Sequence, residues 1–419
     1  MSKQFKQLFS KESINELGKK VCFCKRERDI SPFRLALGLL ETLACSKVET
    51  LADLQRSFNA ICHTNVCYKP FYNQLAKPQF PVFMQQLCER IMSGFTESCL
   101  QFEKGSPFQQ FSKILIHDGS SFALKSGLKR IFPGRFTKIS PAAVELHVTM
   151  DLLSESVESI VLTPDTESEV HHAPSPESVS GSLVLLDRMF FIKQYLADIE
   201  QLNGHYIVRS KGVINPVIMT ATRADGTAIK SWQGKSLKEV RQTIRRYEFV
   251  DLMVCWGRRL NARIIASWDY KNDRVRYLVT NLEQVSFSPE QVMEAYRLRW
   301  QIELMFKEWK SYANLHNFDT NNPHVAEGLI WASIASTLLK RMLALKTQTI
   351  KNVSISTRTA AMSLRKMLAA VVDVFMHQPR KLTRTLEALV NYLANAARRA
   401  HPERDKQTGR LVLGLNYVL

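Results

Sequence analysis

Apolar residues recur at helical spacing through Phe33, Leu37 and Leu40, and again from Leu51 to Phe58, so the chain reads as helical up to about residue 105. Within it, residues 49–58, a polar break and residues 68–75 form a helix, turn and helix pattern. That pattern fits either a small DNA-binding head with Lys69, Tyr72, Asn73 and Gln74 outward or an ordinary helical bundle. From residue 111 the texture changes to short apolar runs. Residues 113–118 (Lys-Ile-Leu-Ile-His-Asp) predict a strand that stops at Asp118, with Gly119 and Ser120 as the turn. Residues 144–150 and 159–163 predict the next strands of a meander, and the polar stretch 165–182, with His171 and His172, predicts a loop. Residues 182–187 (Ser-Leu-Val-Leu-Leu-Asp) repeat the earlier device, an apolar strand ending in Asp187, and a helix follows from Ile192 to Leu202. Residues 204–285 alternate short strands with basic turns, and carry Arg209, Lys211, Arg245, Arg246, Arg258 and Arg259. The tail from residue 346 is helical and basic: residues 351–419 hold twelve Lys and Arg against four acids.

The segment 296–310 (Tyr-Arg-Leu-Arg-Trp-Gln-Ile-Glu-Leu-Met-Phe-Lys-Glu-Trp-Lys) predicts one amphipathic helix. At about 100° per residue, Tyr296, Arg299, Glu303, Lys307 and Lys310 share an arc of roughly 80°. Leu298, Ile302, Met305 and Trp309 form a separate apolar stripe that faces the core. Packing of that stripe aims Glu303. The polar face fits either a metal-binding carboxylate set among phosphate-handling cations or a solvated face of i,i+4 ion pairs.

Composition narrows the partners. The chain has 57 Lys and Arg against 39 Asp and Glu, a formal net charge of +18 and a pI near 9.6. Such an excess points to a phosphate backbone, and the expected partner is nucleic acid. The longest apolar run, Leu329–Leu339, is roughly 11 residues and too short to span a bilayer, so no membrane is expected. No apolar signal core precedes Glu12, and a cytoplasmic protein is expected. The eight cysteines then argue against a disulfide framework. Cys22, Cys24, Cys62, His63 and Cys67 lack the paired spacing of a zinc site.

Two strand-end aspartates and an aimed glutamate make a chemical proposition. Asp118, Asp187 and Glu303 could converge on two divalent cations, as in-line cleavage of a phosphodiester requires. Carboxylate oxygens suit Mg²⁺, with Mn²⁺ as a substitute. Competing acids are Asp151, which also ends an apolar strand, and Glu308 beside the helix face.

At Asp118, Asp187 and Glu303, with Tyr296, Arg299, Glu303 and Lys310 spaced as Y-x2-R-x3-E-x6-K, the chain resembles the DDE transposases of the insertion sequence 4 family. The resemblance covers residues 30 to 345 and extends to residues 204–211 (Gly-His-Tyr-Ile-Val-Arg-Ser-Lys) and 276–281 (Arg-Tyr-Leu-Val-Thr-Asn). It implies an α/β fold with a ribonuclease-H-like catalytic core at 106–345, interrupted by a strand-rich insertion at about 204–285. A helical N-terminal DNA-binding region (1–105) and a basic helical C-terminal region (346–419), with a possible role in dimerisation, flank it. It also implies Mg²⁺-dependent cleavage at transposon ends, a hairpin step and strand transfer into target DNA, cut-and-paste, within a homodimer that synapses two terminal inverted repeats of double-stranded DNA. Arg209 would hold the hairpin end, Lys211 would face DNA beside it, and Lys307 would join Tyr296, Arg299 and Lys310 on DNA. Tyr277 stands where such enzymes can stack a tryptophan on a flipped base; a strand core residue is its other reading. Outside this reading, an inactive transposase-derived DNA-binding protein and a structure-selective nuclease without strand transfer remain open.

Overall fold

A computed structural model describes residues 1–94, 100–257, 260–312, 315, 318–400 and 415–417. A short strand β1 (Leu100–Phe102) pairs antiparallel with the C-terminal β11 (Leu415–Tyr417). The remaining strands form one sheet. β2 (Ile114–Ala123), β3 (Ala143–Asp151) and β4 (Ser156–Pro164) make the expected antiparallel meander. β5 (Leu183–Leu186) lies parallel to β2, and β6 (His205–Arg209) lies parallel to β5. A parallel pair needs a crossover, and α7 (Lys193–Gln201) supplies it. The meander of residues 204–285 does not stand apart. β7 (Val217–Arg223), β8 (Phe249–Cys255), β9 (Asn261–Asp269) and β10 (Arg274–Thr280) continue the same sheet, in the order β4-β3-β2-β5-β6-β10-β9-β8-β7.

The first strand runs further than its apolar stretch. β2 does not turn at Gly119 and Ser120; it continues to Ala123 because β3 pairs with it throughout, Gly119 opposite His147 and Ser121 opposite Glu145. Gly119 permits this closeness, since a Cβ there would lie 2.8 Å from the Glu145 Oε1.

Helices fill both flanks. α1 (Ser2–Phe9), α2 (Lys11–Lys20), α3 (Pro32–Cys45), α4 (Leu51–Cys62), α5 (Tyr68–Leu75) and α6 (Gln79–Met92) precede the sheet. Short α8 (Leu237–Val240) sits within the sheet's extension, and α9 (Pro289–Arg297) and α10 (Trp300–Tyr312) follow it. Then come α11 (Pro323–Lys351), α12 (Thr357–His377) and α13 (Leu382–Ala396). α11 is the rod around which α3, α6, α12 and α13 pack. Asn322 caps it by accepting from the His324 and Val325 N–H groups, Pro323 opens it, and Asn352 closes it at φ 53°. Length and hydropathy would let α11 cross a membrane, but its apolar window is wholly buried in the fold, which marks a core helix. α6 approaches it closely: a Cβ on Gly328 would lie 2.2 Å from the Phe80 ring. The boundary expected at 345 falls inside this helix, and the N- and C-terminal helices share its apolar core.

The helix expected over 296–310 is two helices. Between α9 and α10 the Leu298, Arg299, Gln301 and Ile302 N–H groups bond three residues back, to Ala295, Tyr296, Leu298 and Arg299, so the chain tightens to 3₁₀ geometry. The apolar stripe nevertheless packs as expected, with Leu298, Ile302, Met305 and Trp309 all in the core. Arg263 on β9, 1% exposed, ties the sheet to the lead-in of α9. It binds both oxygens of Asp251 (2.9 and 2.8 Å) and the Phe287 carbonyl (2.8 Å). A buried guanidinium satisfied this fully fixes where α9 begins.

Candidate active site

The sheet brings the two aspartates together by register. Ile116 on β2 is level with Leu185 on the adjacent parallel β5. Two residues on from that pair, on the same face of each strand, come Asp118 and Asp187. Asp118 sits inside β2 rather than at its end, and Asp187 follows the last residue of β5 at the start of a 3₁₀ turn (Arg188–Phe190). The α9–α10 junction supplies the rest. From it, Arg299 donates one terminal N–H group to the Asp118 Oδ2 at 3.1 Å and another to the Glu303 Oε1.

The electrostatics place five side chains in one neighbourhood. Burial pushes the Asp118 carboxyl up to about 6, with Glu169 and Asp187 adding to the shift and Arg299 and the Gly119 N–H opposing it. Burial also pushes Tyr296 up to about 12, Asp187 reinforcing and Arg299 and Arg209 opposing. For Arg299 burial disfavours the charge, but Tyr296, Asp118, Glu303 and Asp187 outweigh it and raise its pKa. So Asp118 and Glu303 touch Arg299, Asp187 and Tyr296 lie near enough to act on it electrostatically, and Arg209 of β6 acts in the same way on Tyr296.

The donor set fits a hard cation. Three carboxylates share a partly buried site with one guanidinium in contact, which leaves an excess of negative charge, and every available ligand atom is a carboxylate oxygen. They surround Arg299 instead of closing on a point: among the described residues, the trio of ligating side chains with atoms mutually within 4.8 Å lies elsewhere, at His63, Asp373 and His377.

The other expected contacts divide. Lys307 and Lys310 are exposed on α10, Lys310 with its Nζ 5.2 Å from the Phe122 ring centre on β2. Lys211 is exposed just beyond β6. Arg245 lies against Trp268 and pairs with Asp273 at 3.5 Å, while Arg246 is exposed. Arg258 and Arg259 lie outside the described residues. Tyr277 is a correction. It is 1% exposed in the apolar core shared by Tyr206, Val250 and Trp268, so its ring is a strand core residue and offers no face to a base. Asp151 does not join them: it sits level with Leu115, three residues along β3 from Val148 opposite Asp118, and so on the other face of the sheet. There it caps a turn, accepting from the Leu153 and Ser154 N–H groups (both 3.1 Å) and the Ser154 hydroxyl (2.6 Å). Glu308 is buried beside Arg341 and Thr357.

Three features went unread in the sequence. Glu169, in the polar stretch 165–182, comes to the edge of the site beside Asp118. It hydrogen-bonds Glu145, whose pKa is raised by burial and by this neighbour, while Arg135 holds the other side of Glu145 at 3.0 Å. The period-two polar row Glu145, His147, Thr149 and Asp151 was the available signal; the stretch 165–182 covers part of it, His172 stacking on His147 at 4.2 Å. Trp300, 55% exposed at the start of α10, is the large aromatic adjoining Arg299.

Comparison with known proteins agrees in kind. The family described as "Transposase DDE domain" matches residues 109–339, just over half of the chain. The transposase for insertion sequence element IS231C of Bacillus thuringiensis subsp. berliner is 23% identical, covering 98% of this chain and 96% of the relative. The transposase for IS1151 of Clostridium perfringens is 22% identical over 74% of this chain and 73% of its own length. A putative transposase InsL for IS186A of Escherichia coli (strain K12) is 42% identical over 15% of this chain and 17% of its own. A solved piggyBac transposase synaptic complex with hairpin DNA aligns at TM-score 0.47 and 13% identity, over 96% of this chain and 88% of that one.

Proposed function

This chain belongs to the transposase DDE-domain family, and from that premise we propose that it is the transposase of a bacterial insertion sequence of the insertion sequence 4 type, cutting DNA at the element's ends and joining them to a target. The observation that carries the reading is Arg299, which touches Asp118 and Glu303 from a helix junction 181 positions along the chain, with Asp187 in the same electrostatic neighbourhood. In this reading the strands β4-β3-β2-β5-β6 are the ribonuclease-H-like core, and β7 to β10 are its insertion.

Asp118, Asp187 and Glu303 would hold a pair of Mg²⁺ ions, or Mn²⁺ in their place. Bound there, such ions supply a more acidic oxygen nucleophile and offset charge on the leaving oxygen. The chain's own residues do the positioning. Arg299 and Lys310 present cations to the phosphates flanking the scissile bond, and Tyr296, protonated at neutral pH, offers a hydroxyl rather than a phenolate to the same anion. Arg209, at the end of β6 beside Tyr296, is placed to counter the phosphate crowding of a bent hairpin end. Lys211 and Lys307 extend the basic surface along the DNA. The exposed Lys69 and Asn73 on α5, with the half-buried Tyr72 and Gln74 beside them, would contribute end binding, and two chains would synapse two ends as a homodimer in the cytoplasm.

Hydrolysis at the end releases a 3′-hydroxyl; that hydroxyl then attacks a phosphodiester and displaces another 3′-oxygen, so bonds broken and formed balance in each step. The test is a duplex carrying the inverted repeats that flank the reading frame, incubated with the full chain and Mg²⁺. Wild-type protein cuts at the repeat boundary and joins the end to a plasmid, and Glu303→Gln does neither. Cutting without joining would reduce the protein to a nuclease, and binding without cutting would leave a transposase-derived binder.

A further inference from the structure

His63, which finds no zinc partners among the neighbouring cysteines, finds them at the far end of the chain. It closes α4 in the left-handed region at φ 50°. That backbone conformation is uncommon for a residue with a side chain, and it turns the ring toward the last turns of α12. There its ring lies on that of His377, with centres 4.0 Å apart and planes within 10°. Asp373 stands one helical turn before His377 on α12, so the two share a face. The ligating atoms of His63, Asp373 and His377 all fall within 4.8 Å of one another. We propose that these three residues form a second, structural metal site for a borderline transition-metal cation, Zn²⁺ above all, that staples the N-terminal helices to the C-terminal helix α12.

The tautomer supports it. His377 Nε2 donates to the Ile61 carbonyl at 2.8 Å, and a carbonyl can only accept, so the lone pair of that ring is on Nδ1. A backbone carbonyl fixing the far nitrogen is the usual outer support of a metal-bound imidazole. The donor set of two nitrogens and one carboxylate oxygen suits zinc and differs in kind from the all-oxygen set around Arg299. Zinc with bonds of about 2.0–2.1 Å needs its ligand atoms roughly 3.4 Å apart. A cation must lie in the plane of each imidazole it binds, so the exposed His63 ring has to turn off its stack on His377, and the exposed Asp373 carboxylate has to swing in, to close the site. Solvent would complete the coordination. The consequence is mechanical: the end of α4, which leads into α5 and its exposed polar residues, becomes fixed to a helix that packs on α11. A cation that binds only the folded chain stabilises it by mass action.

Calorimetric titration of the full chain with Zn²⁺, in saturating Mg²⁺, tests the proposal. Wild type should take up one Zn²⁺ and melt at a higher temperature with it. His63→Ala and His377→Ala should each weaken that binding at least tenfold and lose the rise in melting temperature, and Glu303→Gln should retain both. Asp373→Asn changes only an exposed side chain, so it keeps the test sound should either histidine variant unfold; it too should weaken binding. Co²⁺ in place of Zn²⁺ should give visible d–d bands without a thiolate charge-transfer band. Undiminished zinc affinity in Asp373→Asn and His377→Ala, a thiolate band, or no zinc uptake by wild type would each overturn the site.

Discussion

Arg299 donates to Asp118 across 3.1 Å from the point where α9 and α10 meet, and its other terminal nitrogen holds Glu303. One guanidinium therefore sets the distance between a strand carboxylate and a helix carboxylate. Replacing it should act on geometry and charge together. Arg299→Ala should abolish end cleavage, and Arg299→Lys, which keeps the charge but cannot reach both carboxylates with a planar fork, should lose at least tenfold. The pH dependence of the residual activity of Arg299→Lys separates the two effects. A less well placed cation lets the Asp118 pKa rise above about 6, so its rate should fall at higher pH than in wild type. A residual profile identical to wild type would mean that Arg299 does not act on Asp118.

The site carboxylates and the turn carboxylate should separate cleanly. Asp118→Ala, Asp187→Ala and Glu303→Ala should each eliminate Mg²⁺-dependent cleavage while leaving affinity for a duplex end within about tenfold, because phosphate contacts elsewhere dominate binding. Asp151→Ala should do the reverse. It removes acceptors for the Ile114, Leu153 and Ser154 N–H groups, a loss of about 1–3 kcal/mol, and leaves the rate per folded molecule unchanged. Gel-shift affinity, cleavage rate and melting temperature measured on all four variants decide it, and a stable but inactive Asp151→Ala would reinstate Asp151 as a ligand.

What the sequence carried and what it withheld follow from range. The Leu298, Ile302, Met305 and Trp309 stripe was legible because helical periodicity is local, and packing honours it even across the break in the helix. The break itself was not, since nothing in the residues 298–300 (Leu-Arg-Trp) forbids a helix; it depends on Arg299 reaching a strand. Asp118 and Asp187 were legible as carboxylates on apolar runs, but β2 continues beyond Asp118 only because β3 pairs with it, and strand ends are set by partners. Period-two alternation at Glu145, His147 and Thr149 normally marks a solvent face, and only the fold shows it covered. Tyr277 carried no local signal that distinguishes a buried ring from a stacking one.

The two aromatics should now exchange roles. Tyr277→Ala empties a packed core position and should cost about 3–5 kcal/mol of stability, lowering nicking and hairpin formation alike. Trp300, exposed beside Arg299, has a free face at the edge of the site. Trp300→Ala should leave the melting temperature within a degree or two and weaken binding of a single-stranded end, by the roughly 1–3 kcal/mol that stacking one base contributes. Trp300→Phe should recover most of it. If Tyr277→Ala instead spared stability and selectively slowed one DNA step, its buried position would not be what governs it.

Asp118→Asn should raise stability as it removes activity, and the pH dependence gives the reason. Burial holds the Asp118 carboxyl at about 6 in the fold against an ordinary 3.8, so the folded chain holds that proton more tightly than the unfolded one. For a raised carboxyl the sign is destabilising above pH 6: the folded state carries a poorly solvated charge that the unfolded state carries at little cost. As pH falls from 6 towards 4 the folded form takes up the proton first and stability rises; below the unfolded value the effect is complete. At 1.36 kcal/mol per unit, the effect is about 2–3 kcal/mol, with Arg299 already offsetting part of the burial cost. An amide keeps the shape and does not titrate. In chelator, therefore, Asp118→Asn should melt higher than wild type at pH 8, and the difference should shrink as pH drops through 6 and vanish only below 3.8. A gain that is constant across this range would come from packing rather than charge, and a loss at pH 8 would show that the contact with Arg299 outweighs the burial of the carboxylate.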